Sequence, residues 1–102
     1  SQWVETEADF VRLVEDAFAR PDEVVIGNES MDAAAKRFED SLRPRLERAE
    51  NVMVVAHGRV ISAFVANHNE IDVFELWDGL EMPALITLTR SDLRLVKVTN
   101  HF

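Results

Sequence analysis

Three histidines, His57, His68 and His101, are the side chains of this 102-residue sequence that change charge near neutral pH. There is no cysteine, which excludes disulfides and thiol catalysis. The histidine spacing matches no common zinc pattern, so a metal centre is not expected. His57 differs from the other two in its neighbours. It follows the apolar run Val52-Met53-Val54-Val55-Ala56 and precedes Gly58, after which Val60, Ile61, Phe64 and Val65 recur at helical spacing. Strand, turn and helix in that order place His57 and Gly58 beyond the carboxyl end of a strand, at the first free amides of a helix. Anions bind at such places. Glycine there lets the chain turn sharply and lets a ligand oxygen approach the backbone, while the helix dipole adds partial positive charge. An imidazole beside that point, protonated or donating a hydrogen bond, could stabilise a transferring phosphoryl group. The residues alone also fit a blander arrangement, a hydrogen-bonded structural histidine followed by a turn glycine.

The elements that position this pair can be read from periodicity. From Thr6 the residues Phe10, Leu13, Val14, Ala17 and Phe18 mark an amphipathic helix that must stop at Arg20, because Pro21 cannot continue it. Val24 to Ile26 is expected as a short extended piece. Ser30 then caps a second helix with Met31, Ala34, Ala35, Phe38, Leu42 and Leu46 on one stripe, and Pro44 is expected to kink or divide it. Val52 to Ala56, apolar throughout, has the character of a strand covered on both faces, the central strand of an α/β sheet. A short helix after Asp72, with Phe74, Leu76 and Trp77, precedes Gly79 and Pro83. Ala84 to Thr89 and Leu93 to Val98, joined by Arg90, Ser91 and Asp92, form a β-hairpin.

Composition narrows the function. Hydrophobic residues make up 47% and charged residues 29%, which suits one folded domain or part of one. No apolar run approaches the roughly 20 residues of a membrane span, and no secretion leader is visible. The cytoplasm is therefore the expected location. A net charge of −8 disfavours nucleic acid and anionic membrane surfaces as partners. It also means that an anionic substrate needs a locally positive pocket in an acidic molecule.

Asn51 to Ser62, reading NVMVVAHGRVIS, resembles the second-histidine segment of the histidine phosphatase superfamily, which includes the phosphoglycerate mutases. Gly27-Asn28-Glu29-Ser30 resembles that family's Gly-Glu-Ser approach to the preceding helix. Met82-Pro83-Ala84 resembles its Pro-Asn-Ala-like approach to the late hairpin, and Thr99-Asn100-His101 its Thr-Ser-His ending. The resemblance covers about Phe10 to Phe102 and implies a three-layer α/β fold of the phosphoglycerate-mutase type. It further implies transfer or hydrolysis of phosphate from a small phosphomonoester through a phosphohistidine, with neither metal nor organic cofactor. His57 then matches the catalytic second histidine, and Gly58 the neighbour whose amide faces the phosphate.

The family's attacking histidine sits in an Arg-His-Gly segment, and no such segment occurs here. The chain is therefore expected to be the C-terminal part of a single domain, with residues 1–102 inactive alone. The alternative is a non-catalytic acidic α/β module that pairs through its open sheet edge, as a homodimer or with a chain carrying the missing half. Other residues attract simpler expectations. Arg59 should point to solvent, Glu29 and His68 should complement helix dipoles, His101 should be exposed near the chain end, and Trp77 should pack in the core.

Overall fold

The computed structural model describes residues 6–48, 52–81 and 83–100. Helix α1, Glu7–Ala19, begins where the Thr6 hydroxyl accepts a hydrogen bond from the Asp9 amide at 3.0 Å. It ends at Arg20, whose amide reaches the Asp16 carbonyl at 3.0 Å before Pro21 stops the ladder. Between α1 and the next helix no strand forms at Val24 to Ile26. Val25 turns into the core, Val24 lies in solvent, and the Asp32 amide ties the loop to the Pro21 carbonyl at 2.9 Å. Gly27, at φ +68°, takes the left-handed conformation that this bend requires.

Helix α2, Met31–Arg48, is capped as expected, with the Ser30 hydroxyl accepting from the Ala33 amide at 3.1 Å. Pro44 does not divide it. The proline lies in the last turns on an exposed face, where the carbonyl it leaves unbonded can meet water, and Leu42 and Leu46 on either side anchor the helix to the core. Helix α3, Gly58–Ala66, packs on α2, and the short helix α4, Val73–Asp78, starts where Asp72 accepts from the Glu75 amide at 3.0 Å.

The hairpin forms as the sequence predicts, from β1, Ala84–Leu88, and β2, Leu95–Asn100, paired antiparallel with an irregularity between Thr87 and Leu88. At its bend Leu93 adopts φ +59° while its side chain is buried. Asn69 holds that bend to the end of α3. Its amide nitrogen donates to the Val65 and Leu93 carbonyls at 2.9 and 3.0 Å, and its oxygen accepts from the Leu95 amide at 2.8 Å. Asn100 does the same at the other end of the hairpin, accepting from the Glu81 amide at 3.0 Å and donating to the Gly79 carbonyl at 3.3 Å.

The fold is mixed α/β, as the sequence implies, but one expectation needs correction. Val52–Ala56 is not a buried central strand; among the described residues the only sheet is the two-stranded hairpin. Met53 is 75% and Val55 94% exposed. The reason is physical. Strand structure is a ladder shared with a neighbour, and no described segment lies alongside to share it. The core is instead helical, centred on Val14, Phe64 and Val65, with Ile86, Leu88 and Leu95 of the hairpin packed against it.

Candidate functional site

His57 stands immediately before α3, as expected, and is exposed, but the segment leading to it is not the strand whose tip it was expected to mark. Its backbone is extended, φ −75° and ψ 144°, and its carbonyl accepts the Ile61 amide at 3.1 Å. That bond begins the helical ladder, so the amides of Gly58, Arg59 and Val60 have no preceding helical carbonyl to bond and face the end of the helix. The imidazole makes no cap to those amides. An exposed ring and a set of outward-facing amides thus share one helix end, which is the arrangement an anion needs.

The sharp turn expected at Gly58 does not require a glycine. The φ of Gly58 is not positive, so no left-handed turn demands it. A Cβ at this position would meet Trp77 at 3.6 Å and Leu80 at 3.7 Å, ordinary contact distances. A methyl group would therefore fit, and neither the backbone conformation nor the packing demands glycine here. Trp77 itself packs with Phe10, Phe18 and Phe74 at centroid distances of 6.1, 6.4 and 5.9 Å. This aromatic group joins α1 to α4 and forms the wall behind the helix end.

Three other side chains differ from their sequence expectations. Arg59 does not run into solvent; its guanidinium carbon lies 5.8 Å from the centre of the Phe10 ring. Glu29 does more than complement a dipole, because Arg37 grips both its oxygens at 2.8 and 3.1 Å. That bidentate contact holds its carboxyl below the ordinary value. His68 is structural, as expected, but through Glu39 rather than the helix dipole: its Nε2 lies 2.7 Å from the carboxylate, and its ring meets Phe64 edge-on at 5.3 Å. His101 and Trp3 lie outside the described residues, as do Asn51 and Met82 of the resembling segments. Among the described residues no group of His, Asp and Glu is arranged to hold a metal ion, and no helix is long and apolar enough to cross a membrane.

Sequence reasoning missed a groove of about 600 Å³ that Ala56 and Gly58 line, although His57 between them does not. Its floor is apolar, with Phe38, Leu42, Ile61 and Phe64 of α2 and α3 among the lining residues. Residues 52–56 line it consecutively, and so do residues 83–90. A strand seen face-on would present only alternate residues, so the groove runs along two backbone edges, one on each side. The unbroken apolar run of Val52–Ala56 was the available signal. It says that the segment favours strand pairing, but not whether a neighbouring strand is present.

The sequence model of the histidine phosphatase superfamily, branch 1, matches residues 2–97. The chain belongs to that superfamily. No curated protein and no solved structure matches it at a significant level. Within the superfamily frame, the matched span includes the histidine at the start of α3, the helix it opens, and most of the hairpin across the groove.

Proposed function

We propose that this chain is the C-terminal part of a phosphoryl-transfer domain that acts on small phosphomonoesters through a phosphohistidine, and that His57 and Gly58 form its half of the site. The observation that carries the reading is the exposed His57 imidazole at the free amide end of α3, between Ala56 and Gly58, which both line the groove. Gly58 presents its amide to a phosphoryl oxygen. His57 donates a hydrogen bond to another as negative charge builds in transfer, and the stabilisation comes from donors already in place. The attacking histidine is absent from these 102 residues, since none of the three histidines follows an arginine and precedes a glycine. A strand from outside the chain, lying in the groove between Val52–Ala56 and β1, would supply it. Its two neighbours already offer unpaired backbone edges, and its apolar side chains would cover the floor. Without that strand the chain forms no phosphoenzyme. The proposed setting is cytoplasmic, and neither metal nor cofactor takes part.

The exposure of Met53 and Val55 also favours a second reading, a non-catalytic module that pairs along the same edges with a copy of itself or with another chain. One experiment separates the two. In the complete domain, assayed with a generic aryl phosphate, His57→Ala should lower turnover by about 100-fold or more with the fold intact by circular dichroism. Turnover equal to that of the parent would remove the role given to His57 and leave the pairing module.

A further inference from the structure

We infer that the groove of one copy of this chain receives residues 52–56 of a second copy, the two exchanging segments about a two-fold axis that runs along the groove, and that this dimer holds the chain in a resting state. The exchange is argued from the groove itself. The resting state rests on the phosphoryl-transfer reading, because the copy then occupies the place assigned to the strand with the attacking histidine. Size and charge both suit a copy. Twenty-two residues line the groove, and a standard interface uses about 20–30 on each side. Arg90 is the only charged one among the described residues that line it, although the chain has 19 Asp and Glu and a net charge of −8. Two such acidic molecules repel over most of their surface, and a face that no described carboxylate lines is where they can meet.

The same face carries what fills it. Residues 52–56 border the groove, Met53 and Val55 stand in solvent beside it, and none of the five positions is polar. A segment apolar at every position is suited to cover on both faces. The chain's own α2 and α3 can cover one of them. A two-fold axis along the groove turns the helices of the second copy onto the other face, and it sets each segment between residues 52–56 and β1 of the opposite copy. Recess and insert belong to one surface, as an isologous interface requires, so the exchange closes at two copies. Backbone edges on both sides of the groove gain neighbours in the same step. The two Arg90 side chains fall on opposite flanks of the pair, since each lies on the β1 side of its own groove.

Sedimentation of the chain between about 1 and about 200 µM tests the exchange. A dissociation constant on the order of 10 µM is expected, so the chain is a monomer at about 1 µM, where unfolding is followed. Met53→Asp and Val55→Asp should each weaken the dimer about 20-fold or more, because burying an unpaired carboxylate is costly. Both positions are exposed in the single copy, so circular dichroism should not change. The chain has no cysteine, so a single introduced one reports position. Val55→Cys should crosslink to its copy with a short bismaleimide, and Val24→Cys, exposed in the loop before α2, should not. A monomer at every concentration, a dimer that survives both aspartates, or association that continues past two copies would overturn the exchange, and the first of these would leave the groove to a strand from another polypeptide. In the complete domain Val55→Cys should give no crosslink, because the domain's own strand fills the groove. A crosslink there would overturn the resting state alone, while the turnover of His57→Ala decides the phosphoryl-transfer reading separately.

Discussion

Phe64 and Val55 stand on opposite sides of His57 in circumstances that could hardly differ more. Phe64 is 2% exposed, wedged against Phe38 at a centroid distance of 4.9 Å and against the His68 ring. Val55 is 94% exposed and pairs with no strand among the described residues. Both belong to apolar segments of similar composition, yet only the helix could complete its hydrogen bonds without help. A helix closes its ladder within its own segment, whereas a strand depends on a neighbour. The contrast separates a complete helical layer from a segment that has no strand partner among the described residues, and it is on that open side that the proposed function places another strand.

Truncating the two residues measures that contrast most directly. Phe64→Ala should cost about 3–5 kcal/mol, because it leaves a cavity among buried side chains, whereas Val55→Ala should change stability by less than about 0.5 kcal/mol. Urea unfolding of both variants gives the comparison. A loss above about 1 kcal/mol at Val55 would mean that residues 52–56 already pack in solution.

The next largest effect is expected at Asn69, where the finished side grips the hairpin. Asn69→Ala removes three hydrogen bonds and leaves the Leu95 amide without its acceptor. A loss of about 2–3 kcal/mol is expected by the same measurement, with faster amide exchange at Leu93 and Leu95. Exchange that stays slow in β2 while α3 loosens would show that the hairpin does not depend on this clamp.

Ser62 marks a fault inside the finished layer. It is wholly buried, and its hydroxyl has no hydrogen-bond partner among the described residues. Ser62→Ala should therefore raise stability, by up to about 1 kcal/mol, since an unsatisfied hydroxyl is removed and its volume hardly changes. A destabilised variant would mean that the hydroxyl has a partner after all.

How much of this was legible depended on whether an element satisfies itself. Thr6, Ser30 and Asp72 announced helix starts that the structure contains, because a capping side chain bonds to amides two or three residues away. The hairpin was legible through its own local turn. His57 was legible too, since a histidine between an apolar run and a helix can only stand at that helix's start. Val52–Ala56 misled, because an apolar run reports what burial a segment would favour and says nothing of whether a neighbour is present. The Asn69 clamp, the Phe10 support of Arg59 and the His68 to Glu39 contact join residues far apart in sequence. Each depends on how α1, α2 and the hairpin come together, and no local pattern encodes that.

The smallest effect tests whether α2 and the end of α3 are joined by charge as well as by packing. Burial alone would raise the Glu39 carboxyl, but hydrogen bonds from His68 and Arg43 outweigh it and hold the group below its ordinary value of 4.5. The sign follows from linkage. A carboxyl whose folded value is depressed contributes stability that is present above the unfolded value and disappears as pH falls through the folded one. Parent chain and Glu39→Gln should thus differ by up to about 1 kcal/mol well above pH 4.5, and the gap should close at lower pH. Urea midpoints of both proteins across that range provide the readout. Because glutamine fills nearly the same space, a gap that persists unchanged in acid would assign the contact to shape, and the helices would be held together without the carboxylate's charge.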